Sequence, residues 1–163
     1  MSRSVFFSFH YQRDIFRVNI VRNHAMTKGG YQAAGYWDHS LWEAVKKEGD
    51  LAIKRMINQG LQSTSVTIVL IGSETAGRRW VQYELEQSYE RGNGMLGIYI
   101  HNIPNIKGQK DLKGLNPFSL IYTTRNNKLV SLANLYPTYN WVADEGYNNF
   151  SKWVESAARA AGK

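Results

Sequence analysis

The chain has 163 residues, a formal charge of +7, and 43% apolar residues that include five Trp, ten Tyr and six Phe. That length and aromatic content predict one folded domain over residues 1–163 with a sizeable core, and exclude a disordered polymer. There is no cysteine, which excludes disulfides and thiol chemistry and fits a reducing compartment.

In chain order, Val5–Phe9 (VFFSF) reads as a short buried strand. Asp14 follows as an N-cap for a helix over Ile15–His24. Gly29 and Gly30 lie in a loop, and Ala33–Trp37 is the second expected strand. Ser40-Leu41-Trp42-Glu43 has the form of a capping box, so a helix is expected from Leu41. Gly49 interrupts it, Asp50 caps a further helix over Leu51–Asn58, and Gly60 supplies a stop.

The chain is organised around Ser65–Tyr89. Ser65–Ile71 is a nearly continuous β-branched and apolar run, the mark of a strand covered on both faces. Gly72 and Ser73 end it, and Arg79–Tyr89 follows with helical rhythm. Trp80 and Glu84 are four apart and share a face of that helix. Residues 91–94 form a turn before a fourth strand, Met95–Ile100. From His101 to Tyr136 regularity fades, and Tyr139–Val142 is a short fifth strand. Phe150, Trp153, Val154, Ala157, Ala158 and Ala161 recur with the spacing of an amphipathic helix, capped by Asn148 or Asn149.

Strands alternate with helices. The fold class expected is α/β: a flavodoxin-like, mostly parallel sheet of four or five strands flanked by helices. Ligands in such sheets bind beyond the carboxyl ends of the central strands, where the Trp80–Glu84 pair lies. The basic residues are dispersed and form no block of like charges, which disfavours nucleic acid as a partner. No apolar run is long enough to span a bilayer, and the N-terminal one is too short for a signal peptide. The expectation is therefore a cytoplasmic protein with no membrane partner. GSETAG (residues 72–77) lacks the ending of a phosphate loop, and no His, Cys, Asp or Glu cluster has metal-ligand spacing, so no metal is expected.

VFFSFHYQRD (residues 5–14) resembles box one of TIR domains: an apolar strand ending in aromatic–Ser–aromatic, then an Asp opening a helix. The later stretch from Ser73 through Trp80-Val-Gln-Tyr-Glu84-Leu85 resembles the TIR pattern of Ser, then Trp, three residues, Glu and Leu. Both motifs stand in order at strand–helix junctions. With SLWEAVKK and GNGMLGIYIHNI they make residues 5 to about 120 similar to the short TIR-like ThsB proteins of bacterial Thoeris anti-phage systems.

The resemblance implies a TIR fold and an enzyme that cleaves NAD at the nicotinamide–ribose bond. Such an enzyme forms a cyclic ADP-ribose isomer or a related conjugate. NAD is then a substrate and no cofactor is needed. The implied partners are an effector protein reached through the nucleotide product, a phage-derived trigger, and further copies of the chain in a homo-oligomer.

Glu84 fits the chemistry as the catalytic carboxylate, because bond cleavage develops an oxocarbenium-like ribose and the leaving group is already cationic. Substrate-binding candidates are Phe7, Ser8, Phe9 and His10 at the exit of the first strand, Asp38 after the second, Ser73 after the third, and Trp80 as support for Glu84. Of Phe7 and Phe9, only one is expected to face the pocket. Ser8 is a candidate to hold ribose or phosphate. Arg78 and Arg79 are candidates for the pyrophosphate or for a solvated basic face. Two rival readings stand beside this one: a non-catalytic TIR-like assembly or sensor module, and another N-glycosidic enzyme such as a nucleoside deoxyribosyltransferase.

Overall fold

A computed structural model describes residues 3–37 and 39–163. Its centre is β3 (Val66–Ile71), buried along its whole length. β1 (Ser4–Ser8) and β4 (Gly94–Tyr99) pair with β3 on either side, β2 (Gln32–Ala34) lies outside β1, and β7 (Thr138–Asn140) lies outside β4. All four pairings are parallel. The order β2-β1-β3-β4-β7 is the flavodoxin-like arrangement expected, and it places the reversal of strand order between β1 and β3.

Side chains alternate across the sheet as period-two geometry requires. Val5, Phe7, Val66, Ile68 and Leu70 point into a core shared with α1 (Ile15–Thr27) and α5 (Gly146–Ala160). Val69 and Ile71 point the other way, into a core with Val81 and Leu85 of α4 (Arg79–Glu90). Phe6 packs on Ile53, Ile57 and Leu61 of α3 (Asp50–Leu61). α2 (His39–Glu48) buries no residue fully and rests against α3.

Several local expectations are corrected. The second strand ends at Ala34, not Trp37, because Gly35 turns the chain with φ +85° and brings its backbone so close to the Phe7 carbonyl that a Cβ would collide there. Tyr36 and Trp37 are thereby released into the loop. Asp14 makes no capping hydrogen bond; its carboxyl is buried instead, facing Thr75 and Gly72. α2 begins at His39, so Ser40 lies inside it. Asp50 belongs to the first turn of α3 and pairs with Arg79. Gly60 lies within α3, pressed on Phe6 and Trp37, and the helix runs on to Leu61. β7 ends at Asn140, whose side-chain oxygen accepts the N–H groups of Val142 and Ala143 and turns the chain. Glu145, in a left-handed conformation, precedes α5, while Asn148 and Asn149 lie in its first turn.

Residues 101–136 are more regular than their sequence suggests. They contain a 3₁₀ turn over Pro117–Leu120, a hairpin of β5 (Tyr122–Arg125) and β6 (Lys128–Ser131), and a second 3₁₀ turn over Leu132–Asn134. Asn126 and Asn127 both have positive φ, the signature of a tight hairpin turn. The hairpin strands are mostly exposed, so they lack the apolar alternation by which strands are read.

Candidate functional site

β1 and β3 are neighbours, so the loops that leave them open at the same edge of the sheet. Ser8, the last residue of β1, is fully buried and shares its face with Phe6. That face looks toward α4. There the Ser8 hydroxyl donates a 2.7 Å hydrogen bond to Oε1 of Glu84. Glu84 is 6% exposed. Burial pushes its carboxyl up to about 8, and the hydrogen bond from Ser8 offsets part of that rise. Glu84 is therefore mostly a neutral acid at pH 7, and it is buried where Glu86 and Glu90 of the same helix are exposed.

The carboxyl lies in a narrow cleft that opens to solvent. Phe9, Trp80 and Val81 line it together with Glu84. Trp37 and Trp42 supply another wall. Their rings stack with centroids 6.3 Å apart, and Trp42 stacks on Tyr11 at 5.9 Å. Gln12, Lys46 and Arg78 are its remaining polar lining, with Gly35 at the turn after β2. The arrangement is an aromatic-walled slot with one protonatable carboxyl and two cationic side chains. It can stack flat rings, exclude water and stabilise positive charge once the carboxyl ionises.

The structure brings Ser8, Phe9, Trp80 and Glu84 together. It separates Phe7, which is fully buried in the α1–α5 core. Phe7 and Phe9 are two apart and share a side of the sheet. Phe9 reaches the cleft because the strand has ended at Ser8. Ser8 bonds to Glu84 instead of standing free for ribose. Trp80 packs edge-on against Tyr83 and beneath the Arg79 guanidinium, so it builds the wall and Ser8 holds the acid.

His10 is buried outside the cleft lining, with Nδ1 accepting from the Arg13 N–H at 3.4 Å. Burial, then the nearby Arg78 charge, holds it below the ordinary histidine value. Ser73 is likewise outside. It accepts from Arg13 Nε at 2.9 Å and donates to Asp111 at 3.2 Å, in a polar knot that ties the loop after β4 to the start of α1. Asp38 lies outside the described residues.

The chain matches the family described as "Thoeris protein ThsB, TIR-like domain" over residues 6–105. It belongs to that family. The matched segment runs from β1 through β4 and holds both Ser8 and Glu84. A protein of Bacillus cereus (strain MSX-D12) named "Putative cyclic ADP-D-ribose synthase ThsB1" is 44% identical, and the alignment covers 94% of this chain and all of that protein. Within this ThsB-family fold the aromatic wall was not among the expected site residues. Trp37 lies outside the motifs quoted above, and Trp42 lies in the SLWEAVKK stretch without having been assigned to the site. The available signal was positional, since the loop after β2 opens at the same sheet edge as those after β1 and β3. In addition, Trp42 and Lys46 are one helical turn apart and share a face of α2.

Proposed function

We propose that this ThsB-family protein cleaves NAD between nicotinamide and ribose and closes the remaining ADP-ribose into a cyclic signal nucleotide, with Glu84 as the catalytic carboxyl. The observation that carries this reading is the buried Ser8–Glu84 pair in an aromatic cleft at the β1–β3 crevice. The kinship with a protein named for cyclic ADP-ribose synthesis supports the same reaction class.

The chemistry follows from charge. In the free protein Glu84 holds its proton because burial penalises the anion. The nicotinamide ring of NAD is cationic, and an adjacent positive charge lowers a carboxyl's pKa. Substrate binding thus creates the carboxylate where it is needed. When the C1′–N1 bond breaks, both bonding electrons leave with nicotinamide, and positive charge moves to the ribose carbon and ring oxygen. The Glu84 carboxylate stabilises that charge. An adenine nitrogen or a hydroxyl of the same molecule then attacks the ribose carbon. Loss of a proton from the attacking group leaves a neutral link. Water is the competitor, and on this reading the stacked Trp37 and Trp42 rings limit its access to the ribose carbon.

The signal made this way would act on a separate effector during phage infection, with a phage-derived trigger and assembly with further copies controlling the output. The test is nicotinamide release from NAD with mass spectrometry of the nucleotide formed, using protein from infected and uninfected cells. A cyclic product that disappears in Glu84→Gln supports the reading. Full activity in that variant, or turnover of nucleosides in place of NAD, overturns it.

A further inference from the structure

We propose that Arg78 and Lys46 form a clamp for the diphosphate of a dinucleotide. The proposal rests on the reading of the cleft as an NAD site, and it assigns the half of the substrate that Glu84 does not touch.

Arg78 and Lys46 line the same cleft as Glu84 but come from different elements, the β3–α4 loop and α2. Arg78 follows a pattern unlike the other arginines around this edge of the sheet. Arg79 is committed to Asp50 at 2.7 Å and to the Trp80 ring at 4.5 Å. Arg13 is paired with Glu74 and Asp111, and Arg17 bonds the Ile103 carbonyl at 2.7 Å. Among the described residues, the Arg78 side chain has no hydrogen-bond or ion-pair partner. Its charge is felt inside the protein all the same, since after burial it helps to hold His10 below the ordinary histidine value.

Lys46 lies one turn beyond Trp42, so α2 presents the indole and the ammonium on one face. Its ion pair, to Glu43 at 3.8 Å, is long and exposed, and such pairs hold a lysine weakly.

The charges of the cleft do not balance on their own. Glu84 is mostly neutral at pH 7, which leaves two cations lining the slot and, among the described lining residues, no opposing anion; Glu43, which pairs with Lys46, stands outside the lining. A diphosphate ester carries two negative charges and matches them. The guanidinium can hold phosphate oxygens through paired N–H donors, and the ammonium serves as a point charge. The dinucleotide then lies with its cationic ring toward Glu84 and its anionic bridge toward Arg78 and Lys46.

The test is ligand binding to the whole chain, read by quenching of tryptophan fluorescence, since Trp37, Trp42 and Trp80 wall the cleft. ADP-ribose and adenosine are compared at low salt. Arg78→Gln and Lys46→Gln are each expected to weaken ADP-ribose binding by about tenfold or more, the loss of a charge-assisted hydrogen bond, with adenosine binding unchanged. Arg78→Lys should recover part of the loss. Added salt should weaken ADP-ribose and spare adenosine. Unchanged ADP-ribose affinity in both variants overturns the clamp, as does equal loss of both ligands or no ADP-ribose binding by the unaltered protein. The two readings fail separately. A clamp that holds ADP-ribose in a protein that never releases nicotinamide removes the enzyme and keeps the site, whereas turnover abolished by Glu84→Gln with no effect of Arg78 or Lys46 does the reverse.

Discussion

Ser8 and Glu84, 76 residues apart, meet through a 2.7 Å hydrogen bond that joins the end of β1 to the second turn of α4. The bond favours the ionised acid and works against burial, the dominant influence on that carboxyl. Removing the hydroxyl in Ser8→Ala should therefore push the Glu84 pKa further up. If the carboxylate is the working form, kcat/KM for nicotinamide release rises with pH through the free enzyme's value, about 8. In Ser8→Ala that rise should begin at higher pH. The rate at pH 7 should fall by roughly two- to tenfold, the worth of one net hydrogen bond. A pH profile that drops in height without moving along the pH axis would rule out this role for Ser8.

Glu84→Gln should abolish activity and stabilise the fold. The acid goes from an ordinary value of 4.5 to about 8 on folding. Between those values the native protein holds a proton that the unfolded chain has released, so stability falls as pH rises, by about 1.4 kcal/mol per pH unit. His10, His24 and His101 are held low by burial and act in the opposite direction. Their effect on the slope fades over about the pH unit above 6.5, so the fall from pH 7 to 8 is set mainly by Glu84. Glutamine keeps the shape and an acceptor for Ser8 without the ionisation cost. Urea denaturation at pH 7 should show a gain on the order of 3 kcal/mol in this variant, less any cost from the new amide, and a flat profile from pH 7 to 8.

The sheet and the position of Glu84 were legible because their signals are local. The β-branched and nearly all-apolar run of Val66–Ile71 reads as a covered strand, and the Trp80–Glu84 spacing fixes a shared helix face. What was not legible depends on contacts between distant segments. Nothing in the neighbourhood of Ser8 announces that its hydroxyl will be taken up by a residue on α4. Asp14 has the sequence context of a helix cap, but the close approach of Gly72 draws it into the interior. The Trp37–Trp42–Tyr11 wall arises because Gly35 ends β2 early. That break follows from the nearness of the Phe7 backbone, which no local pattern records.

Gly72 is the point where three segments converge. A Cβ there would run into the Asp14 carboxyl, and a Cβ on Gly114 would run into the Gly72 carbonyl. Gly72→Ala should cost about 1–3 kcal/mol as an overpacked site. Asp14→Ala creates room, so the double variant should be more stable than the sum of the two single losses by about 0.5–3 kcal/mol. Additive losses in urea denaturation would mean that the crowding at Gly72 is relieved elsewhere.

Trp42→Ala tests whether the aromatic wall keeps water from the reacting carbon, as the proposed mechanism requires. α2 has no fully buried residue, so its attachment depends on partly buried side chains, Val45 on the Phe6–α3 core and Trp42, which also stacks on Trp37 and Tyr11. Each such aromatic contact contributes about 0.5–1.5 kcal/mol beyond burial. Without the indole, α2 should sit more loosely and the slot should widen toward solvent. On the proposed mechanism nicotinamide release depends on Glu84, so it should persist, with a raised KM. The fate of the ribose cation depends on what reaches it first. Water in a widened slot should divert product from cyclic to linear ADP-ribose, and mass spectrometry of the reaction gives the ratio directly. A variant that slows nicotinamide release yet keeps the original ratio would show that Trp42 binds substrate and that water is excluded by other groups.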